Sequence, residues 1–221
     1  MRIPTIALLL SALAAGVPAG TRAGEKSLFD GKTFDGWEGD TEKTWRVEDG
    51  AFVGGSLDAV VPRNEFLCTK KEFADVELKV KFKLLGDRAK ANGGVQFRTK
   101  RIPNHHEVIG YQADIGQDYW GALYDESRRK KVLARPEKEL IDKIVKHDDW
   151  NEYTIRCEGP RIRLWLNGTL TVDYTEKDDE IERTGIIGLQ IHGGAKAKVY
   201  YKDIRLQELP AAKEGKSENA P

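Results

Sequence analysis

Val76–Leu84 reads VELKVKFKL. Val76, Leu78, Val80, Phe82 and Leu84 alternate with Glu77, Lys79, Lys81 and Lys83. A side-chain period of two sends the apolar set to one face and the charged set to the other. This is the signature of a strand in an antiparallel sheet, one side on a core and the other in water.

The same pattern recurs outward from this strand. Upstream, Thr44–Gly54 reads TWRVEDGAFVG. Asp49-Gly50 between Val47 and Phe52 predicts a hairpin with a primed turn. Ser27–Trp37 carries Asp30-Gly31 and Asp35-Gly36 around single aromatics and reads as turns. Downstream come VQFR (Val95–Arg98), YQADIG (Tyr111–Gly116) and a short strand from Gly121 to Asp125. The charged stretch from Arg135 to Asp149 predicts a loop with one or two helical turns near Glu139–Val145. Trp150–Cys157 and Arg161–Leu166 form a hairpin around Glu158-Gly159-Pro160. Asn167-Gly168 is a second primed-turn signal, leading into Thr169–Tyr174. Ile186–His192 and Lys198–Leu209 close the pattern. About a dozen short strands and almost no helix predict an all-β chain, a jelly-roll β-sandwich of two antiparallel sheets. No internal repeat suggests a propeller.

Length and charge narrow the function. A chain of 221 residues suits one sizeable domain. Lys+Arg and Asp+Glu both number 36, so there is no basic surplus to hold nucleic acid. Arg2, the apolar run Ile6–Ala15 and the small residues Thr21 and Ala23 predict a cleavable signal peptide over 1–23, with Val17 and Ala19 as an alternative cleavage pattern. That run is too short to span a bilayer, and no other stretch is a candidate span. The expected organisation is a signal peptide at 1–23, a β-sandwich domain at 24–210 and a disordered tail at 211–221. Export, to a periplasmic or extracellular location, permits a disulfide between Cys68 and Cys157 without showing that they meet. Cys157 equally suits a small core position.

Strand parity exposes a candidate site. In VQFR, YQADIG and GLQIHG the apolar residues claim one face, leaving Gln96, Arg98, Gln112, Asp114, Gln190 and His192 for the other. Elsewhere outward faces carry Lys and Glu. Amides, a carboxylate and an arginine suit sugar hydroxyls, and aromatics suit the apolar faces of sugar rings. Tyr111, Tyr119, Trp120 and Tyr124 stand close in sequence, and Trp165 is a further candidate platform. His192 is the general acid–base candidate, because an imidazole titrates near neutrality. Asp114 is the candidate base. His105-His106-Glu107 is a weak candidate set for a divalent metal ion. No strand carries the paired carboxylates of an ordinary retaining glycosidase. Fingerprints for a nucleophile elbow, a P-loop or a dinucleotide are absent.

SLFDGKTFDGW, WRVEDGAFVGG, ELKVKFKL with NGGVQFR, GYQADIG with GALYDE, WNEYTIRCEGPRIRLWLNG and GIIGLQIHGG, in this order, resemble the 3-keto-disaccharide hydrolase family. The resemblance spans Ser27 to Leu209. It implies a concanavalin-like fold and cleavage of glycosides already oxidised at C3 of the sugar. A 3-keto group acidifies the C2 hydrogen, so a base, an enediolate stabiliser and an acid suffice for elimination, and water then adds. Asp114 and His192 fit the base and acid or metal-ligand roles, and Arg98 or a bound divalent cation fits the stabiliser. The chain departs from the family pattern at Gln112, where many members carry Glu. A lectin-like binding module of the same fold is the alternative, and a structural envelope domain is a third.

Overall fold

The computed structural model describes residues 24–211; the predicted signal peptide and nearly all of the predicted tail lie outside them. In chain order the strands are β1 (Glu25–Ser27), β2 (Trp37–Glu38), β3 (Trp45–Glu48), β4 (Ala51–Ser56), β5 (Glu65–Thr69), β6 (Val76–Gly86), β7 (Asn92–Arg101) and β8 (Val108–Gly116). They continue as β9 (Leu123–Glu126), β10 (Lys131–Ala134), β11 (Asn151–Glu158), β12 (Arg161–Leu166), β13 (Thr169–Thr175), β14 (Ile186–Ile191) and β15 (Ala197–Glu208). One α-helix, α1 (Lys138–Ile144), stands where the charged stretch predicts helical turns.

The strands form two antiparallel sheets. One has the order β13-β12-β11-β6-β15-β4-β3, with β1 beside β15; the other has the order β10-β9-β8-β7-β14-β5-β2. The β6 alternation is realised: its apolar side chains are buried, while Glu77, Lys79, Lys81 and Lys83 are half-exposed. Both predicted tight turns form. Asp49 and Gly50 have φ of 49° and 74°, and Asn167 and Gly168 have 50° and 80°. Two successive positive φ angles define the primed turn whose twist matches a hairpin.

The core fills the space between the sheets. Leu78, Val80, Phe82, Tyr153, Ile155 and Leu206 from one sheet meet Leu67, Val95, Phe97, Ala113, Ile115 and Leu189 from the other. Two buried phenols cross this core and hold the second sheet's backbone. Tyr201 donates to the Gln190 carbonyl at 2.8 Å and accepts from the Gly94 N–H at 3.2 Å. Tyr153 donates to the Asp114 carbonyl and accepts from the Gly121 N–H at 2.9 Å. The backbone at Gly94, Gln190 and Asp114 is thus fixed from inside.

The permitted disulfide is not made. Cys68 and Cys157 are both free and buried. Cys157 packs in the core, and Cys68 lies on the opposite side of its sheet with Phe66, Val108 and Ile186. Burial pushes each thiol up to about 12, so neither is a ready nucleophile.

Candidate functional site

The outer face of the second sheet is polar and almost closed to solvent. Its side chains come from the strand positions that alternate with the core. Register orders them in rows across the sheet. One row runs Cys68, Gly188, Gln96, Gln112, Tyr124; the next runs Phe66, Gln190, Gly94, Asp114. A third begins where the His192 N–H donates to the Asn92 carbonyl at 3.0 Å. Gln96, Gln112, Asp114 and Gln190 are each at most 4% exposed.

Gly94 lies in the middle of this face, beneath the Gln112 side chain. It separates Gln190 from Asp114, whose Cα atoms stand about 10 Å apart across two strand spacings. A Cβ at Gly94 would lie 2.4 Å from Cδ of Gln112, so the Gln112 side chain lies flat over the glycine and only glycine fits beneath it.

Most of the polar side chains bond one another. Thr99 Oγ1 donates to Gln96 Oε1 at 3.1 Å. Gln96 Nε2 donates to Gln112 Oε1 at 2.5 Å. The Gln112 amide in turn donates to Asp114. Asn92 Nδ2 and the Ile115 N–H each donate to Asp114 Oδ1 at 3.1 Å. Gln190 is the exception: it is 0% exposed, and both its amide oxygen and nitrogen lack a partner. An unpaired buried polar group costs about 1–3 kcal/mol, so this position works against the fold unless something outside the chain completes it.

Two carboxyls on the face are held near neutrality. Burial raises Asp114 to about 7, against the lowering by its hydrogen bonds with Asn92, Gln112 and Ile115; the charge of Glu126 adds to the rise. Glu126 is also raised to about 7, first by burial and then by the charge of Glu107. Glu107 Oε1 accepts from Asn64 Nδ2 at 3.0 Å, and Asn64 Oδ1 accepts from the Gly193 N–H at 3.0 Å. Asn64 therefore ties the loop before β8 to the residue after His192. His192 Nδ1 lies 2.8 Å from the Gly193 carbonyl; as the N–H tautomer it donates there and leaves Nε2 for proton exchange. Asp114, Gln96, Gln112, Gln190, His192 and Tyr124 thus share the face predicted from parity, with Tyr119 edge-on to Tyr124 at 6.4 Å.

Four expected residues do not join them. Arg98 has φ of 47° and sits in a bulge where the β7–β8 register shifts. Its guanidinium turns away to Asp75 and the Gly159 carbonyl, both at 2.8 Å. Tyr111 points into the core, stacked on Phe97 at 5.9 Å, with its hydroxyl on Glu176 at 2.6 Å. Trp120 packs on Phe82 and lines a cavity of about 660 Å³ at the end of the sandwich, with Leu84, Gly116, Ile141 and His147. Trp165 lies on the other sheet, under the Arg163 guanidinium.

The candidate metal residues do not gather as a set of three donors. The His105 and His106 rings are 4.5 Å apart, and His105 Nδ1 accepts the Glu107 N–H at 3.1 Å. Among the described residues no three His, Cys, Asp or Glu side chains converge as a metal site. Sequence reasoning overlooked Asn92, Asn64 and Glu126. Glu126 shares parity with Tyr124, a signal lost by ending that strand at Asp125.

Known structures share this architecture. A candidate glycosyl hydrolase from Parabacteroides distasonis ATCC 8503 aligns with a TM-score of 0.64 at 20% identity, over 85% of this chain and 95% of that one. The carbohydrate-binding module CBM66 from Bacillus subtilis aligns with 0.60 at 15% identity, over 78% and 96%. A galectin-like protein of unknown function from Bacillus subtilis aligns with 0.57 at 11% identity, over 79% and 90%. No curated protein matches the sequence. Among the described residues no helix is long and apolar enough to cross a membrane. The model of the 3-keto-alpha-glucoside-1,2-lyase-like domain matches residues 24–207, and the chain belongs to that family.

Proposed function

We propose that this chain is an exported enzyme that cleaves 3-keto-glycosides by elimination followed by hydration. The observation that carries the reading is Asp114, a buried carboxyl raised to about 7 and held by two amide side chains on a face with an unfilled amide opposite. A base of that strength suits removal of a proton next to a ketone at neutral pH. Asp114 takes the C2 proton, and the C–H electron pair passes to the C3 oxygen as an enediolate. The pair then returns, C1=C2 forms and the C1–O bond breaks. His192 Nε2 delivers the proton to the departing oxygen. Water adding at C1 completes a net hydrolysis.

The same face supports a second reading, sugar binding without cleavage. It draws on the neutral amide at Gln112 and on the likeness to a carbohydrate-binding module. A 3-keto-glucoside with a chromogenic aryl leaving group separates the two. Release is expected from the wild type, with a loss of about 10²–10⁴-fold in Asp114→Asn and in His192→Ala while both stay folded. No release from the wild type, with saccharide binding retained, establishes the binding reading instead.

A further inference from the structure

Three loops close around the cavity at the end of the sandwich. It holds about 660 Å³, within the range of about 300–1,000 Å³ common to ligand sites. The turn between β6 and β7 gives one wall with Arg88 and Ala89, and the 3-10 turn after β8 gives a second with Gln117, Asp118 and Trp120. The third wall is the segment from Arg135 to Asp148, which includes α1. Each wall is tied to the other two. Arg88 Nη2 donates to Asp148 Oδ2 at 2.6 Å, Gln117 Nε2 donates to the Lys90 carbonyl at 2.8 Å, and the Trp120 and His147 rings meet edge-on at 5.8 Å. The cavity is therefore formed before a ligand arrives, which lowers the ordering cost of binding.

Trp120 is half-buried and lines this cavity. It is backed by Phe82, a fully buried core residue stacked on it at 6.2 Å. Leu84, Ala91, Pro136 and Ile141 continue the apolar floor. Around it the charges are close to balanced: Arg88, Arg135 and Lys138 stand against Asp118, Glu137, Asp142 and Asp148. Arg88 is paired with Asp148, and Lys138 with Asp142. Such a rim has little net field to draw a strongly charged ligand, and its charged side chains are a poor match for a wholly apolar one. Carboxylates accept from hydroxyls, guanidinium and ammonium groups donate to them, and an indole covers an apolar C–H face. A ring with hydroxyls around its edge and C–H groups on its faces meets all three.

The geometry points to a second saccharide site in this cavity, with Trp120 as the platform under a neutral pyranose ring. Asp118, Arg135 and Glu137 have no ion-pair partner among the described residues and face the ring's hydroxyls from the rim. The cavity shares no lining residue with the polar face, since Gln112, Asp114 and His192 do not border it. It holds sugar whether or not that face cleaves a 3-keto-glycoside.

The test measures binding at a stated place. Cellobiose, maltose and lactose are the probes, with glucose and glucose 6-phosphate as a neutral and charged pair. Calorimetry should show saturable binding of at least one of the disaccharides to the wild type. The indole N–H signal of Trp120, assigned by its loss in Trp120→Phe, should shift during the titration. Ala89→Trp sets a bulky ring in the cavity from an exposed position and should weaken binding about 10-fold or more. Trp120→Ala should do the same, and Trp120→Tyr should restore part of the affinity. Should Trp120→Ala not fold, Ala89→Trp decides, because Ala89 lies outside the core. Glucose 6-phosphate should bind no tighter than glucose. No saturable binding of any of the three disaccharides, an unmoved Trp120 signal, or full affinity retained in Ala89→Trp overturns the assignment. A clear preference for glucose 6-phosphate overturns it too, in favour of an anion site. Failure of the cleavage reading is seen separately, as no aryl release from the wild type while Trp120-dependent binding persists.

Discussion

Asn92 donates its side-chain amide to Asp114 Oδ1 at 3.1 Å from the neighbouring strand, while its backbone carbonyl accepts from His192. The proposed base and acid are thus fastened to one residue. Asn92 opposes the effect of burial on Asp114. Removing it in Asn92→Leu should raise Asp114 further. The acid limb of kcat/KM should move up by about one pH unit, since a hydrogen bond to the charged form is what holds such a group down. An unmoved limb would mean that Asp114 is not the group titrating in the reaction.

Asp114 also sets a pH dependence of stability. Its folded value is raised from 3.8 to about 7. Below about 4 it is protonated in both states and costs nothing. Between about 4 and 7 the unfolded chain releases the proton and the folded chain keeps it, so stability falls as pH rises through that window. Above about 7 the cost is complete, on the order of 4 kcal/mol at most. Glu126, raised from 4.5 to about 7, adds in the same sense. Urea unfolding at pH 5 and pH 8 should show a clear loss in the wild type and a smaller one in Asp114→Asn. Equal losses in the two proteins would remove Asp114 from the account.

Tyr153 acts on the same residue from the core side. Its hydroxyl bonds the Asp114 carbonyl and the Gly121 N–H. Tyr153→Phe leaves two buried backbone groups without that partner and should cost about 1–3 kcal/mol. As a positioning residue it should lower kcat more than it raises KM, with the fold intact by circular dichroism. A change confined to stability would make Tyr153 a core residue alone.

Arg98 should behave oppositely. It is 5% exposed and paired with Asp75 and the Gly159 carbonyl, away from the face. Breaking a buried ion pair from one side costs about 3–5 kcal/mol. Arg98→Ala should therefore lower the urea midpoint sharply, yet leave the KM of the surviving folded protein unchanged. A large rise in KM with normal stability would return Arg98 to the sugar site.

The contrast between Arg98 and Gln96 shows what the sequence could reveal. Alternation in VQFR places both on one face, and that holds for Gln96, which is locked in the β7–β8 register. Two residues later a bulge with a positive φ at a non-glycine residue breaks the period. Nothing in the local composition announces it. Strands and hairpins were legible because hydrophobicity and Asp-Gly or Asn-Gly turns act locally. Strand parity alone does not say that β14 neighbours β7; the structure pairs them, and this puts Gln190 on the face of Gln96, beside Gly94. Trp120 follows a 3-10 turn after β8, where strand parity no longer applies. The unpaired state of Gln190 was not legible at all, because it depends on what the neighbouring strands fail to supply.

Gln112 is where the chain departs from the pattern it resembles, and its geometry says what a carboxylate there would do. Gln96 Nε2 donates to Gln112 Oε1, which turns the Gln112 nitrogen toward Asp114. In Gln112→Glu one carboxylate oxygen keeps the bond from Gln96, and the other meets the Asp114 carboxyl in place of a donor. Two such groups in a buried setting cannot both ionise, so they share a proton and titrate as a pair. The first ionisation should fall below about 7 and the second should rise well above it. The acid limb of kcat/KM should shift accordingly, downward if position 112 supplies the base and upward if Asp114 must carry the charge alone. Stability at pH 8 should drop relative to the wild type in either case. A pH–rate profile that does not move would separate Gln112 from Asp114 altogether. A downward shift with higher kcat at pH 6 would transfer the base from Asp114 to residue 112 and make the glutamine of this chain a device that moves its working range toward neutral pH.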